Sequence, residues 1–116
     1  MIVGRHFDPE IRRILDVARE TAPKLKDNTV WVTGGWRPGE GKHSSGEAFD
    51  IRVKNVEGFN LVTFEYNETV AKWARDMQKL LGSDYDVIYG APKHLNHIHC
   101  EYDPKEEISI ILNAAR

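Results

Sequence analysis

The chain is expected to fold as an α+β domain in which a small, mostly antiparallel sheet carries helices packed on one side. Three observations point there. Apolar residues recur at helical spacing in two stretches, near residues 11–22 and 70–81. Period-two, β-branched or aromatic runs occur at residues 29–33, 48–53, 85–89 and 97–102. Strands and helices do not alternate strictly, and the last two strands are close enough to pair directly, which favours an antiparallel sheet over a parallel one.

Taken in order, Asp8 can cap a first helix and Pro9 suits its first position, with Ile11, Ile14, Leu15, Ala18 and Ala22 on one face and Pro23 as its stop. The run Thr29-Val30-Trp31-Val32-Thr33 reads as a strand that ends at Gly34-Gly35. A Gly-rich polar loop leads to Ala48-Phe49-Asp50-Ile51-Arg52-Val53, whose alternation sets Ala48, Asp50 and Arg52 on one face and Phe49, Ile51 and Val53 on the other. Residues 54–66 read as a hairpin-like or wrapping loop of unassigned role. Asn67 is a cap for a second helix, with Val70, Trp73, Ala74, Met77, Leu80 and Leu81 as its apolar face and Gly82 as its stop. Residues 85–89 and 97–102 are two antiparallel strands joined by a loop. Asp103-Pro104-Lys105-Glu106 has the form of a capping box for a last helix carrying Ile108, Ile111, Leu112 and Ala115 inward.

At 116 residues, 41% of them hydrophobic and 29% charged, the chain is expected to form one domain over residues 1–116 and to be a monomer. The net charge of −2, without a basic stripe, argues against nucleic acid and anionic membranes as partners. Cys100 is the only cysteine, so a disulfide framework and a thiolate-rich zinc knuckle are excluded, and any metal must be held mainly by nitrogen and oxygen. Residues 1–8 lack the apolar core of a signal peptide, and no run could span a bilayer, so synthesis in the cytoplasm is expected.

Chemistry concentrates in two pieces. One runs from Trp36-Arg37-Pro38 through His43-Ser44-Ser45-Gly46-Glu47-Ala48-Phe49-Asp50; the other is His97-Ile98-His99. His97 and His99, two apart on a strand, must share a face. Strand histidines are more often satisfied by a carbonyl or solvent than by metal, and a His and an Asp seven apart are common. Jointly they weigh more, because imidazole and carboxylate are the ligands zinc accepts besides thiolate, and three protein ligands with one open position is the catalytic arrangement. Alone, Arg37 would read as a surface arginine.

The pattern His-x-x-Gly-x-Ala-x-Asp, followed by His-x-His, resembles the zinc peptidases grouped with lysostaphin, D-Ala-D-Ala metallopeptidases and Sonic hedgehog. Within that group it is most similar to the D-Ala-D-Ala carboxypeptidase branch and its phage endolysin relatives. The resemblance implies a hedgehog-type α+β fold and zinc held by His43, Asp50 and His99. It implies that His97 stands beside the metal and helps stabilise the transition state, and that Arg37 contacts substrate or oxyanion. The implied substrate is a peptide bond in the stem peptide of bacterial cell-wall peptidoglycan, cut by carboxypeptidase or endopeptidase action. Without a signal peptide, such an enzyme fits a phage-encoded lysin released to the wall or a cytoplasmic one acting on wall fragments.

Two positions depart from that group's pattern. Gly41 stands where a Ser usually precedes the first zinc histidine. The segment Gly90-Ala91-Pro92-Lys93-His94-Leu95-Asn96 lacks the carboxylate that normally serves as general base before His-x-His. His94 could substitute if the loop folds back. Glu101 shares the face of the two histidines, yet one step farther along the strand it reads more simply as a solvated residue. The missing acid leaves a second function open, a zinc-bearing module that recognises a peptide or protein without cutting it.

Overall fold

A computed structural model describes residues 9–33, 48–90 and 95–103. Within them the elements run α1 (Pro9–Thr21), β1 (Val32–Thr33), β2 (Ala48–Arg52), α2 (Glu68–Leu81), β3 (Tyr85–Ile88) and β4 (His97–Tyr102). The four strands form one antiparallel sheet in the order β1-β2-β4-β3. Both helices pack on one face of it, so the architecture is α+β in two layers. The cap at Asp8, the glycine pair at 34–35 and the last helix after Asp103 lie outside the described residues.

α1 turns Ile11, Ile14, Val17 and Ala18 into the core, while Leu15 and Ala22 sit at its margin. The helix stops where Pro23 cannot supply the N–H that the Arg19 carbonyl would need. α2 is capped at one end by Asn67, whose side chain accepts from Val70 N–H at 3.0 Å. At the other end Gly82 adopts φ +89°, a conformation that costs a residue with a Cβ and that glycine reaches freely. Val70, Trp73, Ala74, Met77 and Leu81 form its buried face, joined by Ala71. Leu80 was expected on that face and is instead 47% exposed. The stripe 70-73-74-77-81 follows the helical repeat and leaves position 80 at its rim, where the Leu80 carbonyl accepts from Arg13 Nη2 at 2.9 Å.

The sheet's apolar face is made by Phe49, Ile51, Ile98 and Cys100, with Tyr85 and Val87 at the β3 edge, all in one cluster with the helices. The outer edge of β3 is occupied by Gln78, whose amide nitrogen donates to the Tyr85 carbonyl at 2.8 Å and whose amide oxygen accepts from Val87 N–H at 2.9 Å. An edge that could template pairing with another chain is thereby covered from within.

The first strand is shorter than the run of residues 29–33 predicts. Side chains compete for its backbone: Asn55 Nδ2 donates to the Thr29 carbonyl at 2.7 Å, and only Arg52 N–H to the Trp31 carbonyl extends the ladder beyond Val32. The same segment explains residues 54–66, whose role the sequence does not reveal. Their first turn pairs with residues 24–28 through Lys26 N–H to the Asn55 carbonyl, Glu57 N–H to the Lys24 carbonyl and a bridge between Leu25 and Val56. Asp27 is the hub, accepting from Asn55 Nδ2 and from Trp31 Nε1, each at 2.7 Å.

Those two hydrogen bonds, Asn55 first and Trp31 second, hold the Asp27 carboxyl below the usual carboxylate range. A depressed folded-state pKa contributes stability that is present above the unfolded value of about 4 and is lost as pH falls through the folded one. Urea midpoints measured from pH 5 downwards should therefore drop more steeply for wild type than for Asp27→Asn. Parallel profiles would show that the carboxylate contributes nothing to the fold.

Candidate metal centre

The face of the sheet opposite the helices carries the polar residues, and the register explains why. Asp50 on β2 stands directly opposite His99 on β4, Arg52 opposite His97, and Ala48 opposite Glu101. On the far side of β4, Glu101 faces Asp86 and His99 faces Ile88. Because side chains alternate, Ile98 and Cys100 enter the core while His97, His99 and Glu101 stand together on the other face. Cys100 is wholly buried, and burial pushes its thiol up, away from the thiolate form a metal needs.

Asp50 and His99 meet at 3.1 Å, Oδ1 to Nδ1. The opposite nitrogen of the same ring, Nε2, lies 3.1 Å from Glu101 Oε1. His97 approaches Asp50 less closely, Nε2 to Oδ1 at 3.8 Å, and its Nδ1 lies 2.8 Å from Asn96 Oδ1, an arrangement in which the Nδ1–H donates to the amide oxygen. None of these side chains is freely solvated: Asp50, His99 and Glu101 are 14–18% exposed and His97 26%.

The Asp50 hydrogen bond raises the His99 pKa above its ordinary value, Glu101 adds to the rise, and burial opposes it. The imidazole thus sits between two carboxylates that favour positive charge at its position. A proton can supply that charge, and so can a cation at the Nδ1 side, where a carboxylate oxygen already converges.

The structure brings together two of the three residues implied as zinc ligands, Asp50 and His99, and sets His97 beside them. His43, Arg37 and His94 lie outside the described residues. Glu101 corrects the sequence reading, since it is hydrogen-bonded and mostly buried rather than solvated. Asn96, which belongs to the segment that lacks an acid, is the residue that orients His97. Its position immediately before the first histidine was the available signal, but only the strand's bend at residues 95–96 reveals the contact.

A second feature lies one step along the same face. Among the described residues, Asp86, Glu101 and Asp103 form the one trio of candidate ligand atoms that all lie within 4.8 Å of one another. It offers oxygen alone, a donor set suited to hard cations rather than to zinc, and such acidic groups are common without an ion. Asp50, His97 and His99 do not close into such a trio, so the convergent pair on the described part of this face is Asp50 with His99.

Among the described residues no helix is long and apolar enough to cross a membrane. Comparison with protein-family models, with curated proteins and with solved structures gives no match for this chain.

Proposed function

We propose that the protein is a zinc metallopeptidase acting on peptide bonds of bacterial cell-wall stem peptides, with zinc held by His43, Asp50 and His99. The observation that carries the reading is the pairing of Asp50 with His99 across β2 and β4. Residues 49 positions apart, singled out by their place in the motif, meet at ligand-to-ligand spacing on the face away from the core. Two ligand atoms on a tetrahedral zinc ion stand about 3.3 Å apart given bond lengths near 2.0–2.1 Å, and the donor types, imidazole and carboxylate, are those zinc takes. The substrate class follows from the motif's resemblance.

Bound there, zinc would polarise the scissile carbonyl and bring the pKa of water from 15.7 towards ~7. The chain's own residues supply the remainder. Asn96 pins the His97 ring through Nδ1, so Nε2 faces the Asp50 side, where it can accept a proton or, once protonated, donate to a developing oxyanion. Arg37, six residues before His43 in the sequence, is assigned to the oxyanion or to a substrate carboxylate, for which a guanidinium is the fitting donor.

A second reading has its own support. The segment of residues 90–96 contains no acid, and Glu101, which among the described residues shares this face with Asp50, is already engaged by His99. A zinc-bearing recognition module would need no base. The two are separated by loading the purified protein with one equivalent of zinc and incubating it with synthetic stem peptide. The peptidase releases an amino acid or peptide and loses that activity in His43→Ala and His97→Ala. Zinc uptake with no release leaves the recognition module, and no zinc uptake by wild type removes both.

A further inference from the structure

We infer that Glu101 is the positioning residue of the metal centre: its carboxylate takes the Nε2–H of His99 and thereby reserves Nδ1 as the coordinating nitrogen. The inference rests on the zinc reading above and assigns Glu101 a task other than that of general base.

The geometry comes from the strand itself. Two residues along β4 span about 7 Å, so a side chain at position 101 reaches the ring at position 99 only if it is long and lies back along the strand. Glu101 does so, with Oε1 3.1 Å from Nε2. Its cross-strand neighbour on β2 is Ala48, whose single methyl group does not bar a glutamate from lying along the strand. Its neighbour on β3 is Asp86, which together with Asp103 keeps carboxylate oxygens within 4.8 Å of Glu101, and the ring's Nε2–H is the donor that offsets this gathered negative charge.

An imidazole offers one nitrogen to a metal and shows the other as N–H, and the partner of that N–H decides which nitrogen coordinates. In His99 the two nitrogens already have different neighbours. Nδ1 faces Asp50, itself a proposed ligand, and Nε2 faces a carboxylate that stands farther out on the strand. A metal shared with Asp50 must use Nδ1, and Glu101 then satisfies the proton on Nε2. The same contact holds the ring plane, so Asp50 and His99 converge before the ion arrives.

The test compares zinc affinity, by competition with a chromophoric chelator, in wild type, Glu101→Ala, Glu101→Gln and Glu101→Asp, with the His99 ring nitrogens of the zinc-loaded proteins read by two-dimensional ¹⁵N NMR. Affinity should fall roughly 10- to 100-fold in Glu101→Ala, the range for losing such a partner. It should recover largely in Glu101→Gln, whose amide oxygen still accepts, and little in Glu101→Asp, whose side chain is too short. Wild type should show zinc on Nδ1 and a protected Nε2–H that loses protection in Glu101→Ala. Wild-type affinity in Glu101→Ala, or zinc on Nε2, overturns the inference and leaves the peptidase reading standing. Unchanged affinity with abolished turnover in Glu101→Gln also overturns it, because that pattern marks a general base. If Glu101→Ala is unfolded by circular dichroism, the Gln and Asp variants carry the same comparison. Failure of wild type to bind zinc removes the peptidase reading and this inference together.

Discussion

Asp50→Asn is expected to weaken zinc binding by roughly 100-fold or more while leaving the metal-free protein folded. Both halves follow from the position of the side chain. Asparagine keeps the shape of aspartate but removes the charge, and the Oδ1 that meets His99 Nδ1 at 3.1 Å becomes a poor zinc ligand. Zinc sites built from a few protein ligands hold about 10–16 kcal/mol in all, so one ligand of three or four accounts for about 3 kcal/mol, or two powers of ten in affinity. The fold is spared because Asp50 points away from the cluster that holds the sheet to the helices, to which its neighbours Phe49 and Ile51 belong. Isothermal titration with zinc checks the first half and circular dichroism the second. Asp86→Asn serves as the control, since Asp86 belongs to the carboxylate trio and not to the Asp50 and His99 pair. If Asp86→Asn abolishes binding while Asp50→Asn leaves it intact, the metal sits in the acidic trio and the proposed ligand set is wrong.

The parts of this molecule governed by periodicity are the parts that could be read from the chain. The face of β2 that bears Asp50, the shared face of His97 and His99, and the placing of Cys100 in the core all follow from alternation alone. Helix α2 and its two caps follow from Asn67, Gly82 and the spacing of Val70, Trp73 and Met77. What alternation cannot give is which strand lies beside which. The order β1-β2-β4-β3 inserts β4 between strands earlier in the chain, and only that order sets Asp50 opposite His99. The same limit applies to Glu101. Alternation shows its face, but whether a long side chain turns to solvent or back to the ring depends on Ala48 and Asp86 across two different strands. The shortened first strand and the role of residues 54–57 escape periodicity for another reason. The Asn55 side chain takes the Thr29 carbonyl and the Asp27 carboxylate, while residues 55–57 pair with residues 24–26, contacts between distant residues that have no period.

Trp73→Ala should remove most of the protein's stability, for a reason that joins packing to helix termination. Trp73 is 1% exposed at the centre of the contact between α1 and α2, and truncating a buried tryptophan costs about 3–5 kcal/mol through lost burial and the cavity left behind. Its indole also performs a polar task. Nε1–H donates at 3.1 Å to the carbonyl of Ala18, one of the last four residues of α1, whose carbonyls find no helical N–H. With the indole gone that buried acceptor is unsatisfied, an added cost of about 1–3 kcal/mol unless water reaches it. Against a total of about 5–15 kcal/mol for a protein of this kind, the sum leaves the variant marginal or unfolded at room temperature. Trp73→Phe separates the two contributions: it retains most of the ring and none of the donor, so it should lose only about 1–3 kcal/mol. Urea unfolding followed by circular dichroism measures both. A Phe variant as stable as wild type would show that the Ala18 carbonyl needs no partner, and an Ala variant losing less than about 1.5 kcal/mol would mean that α1 and α2 are not held together at Trp73.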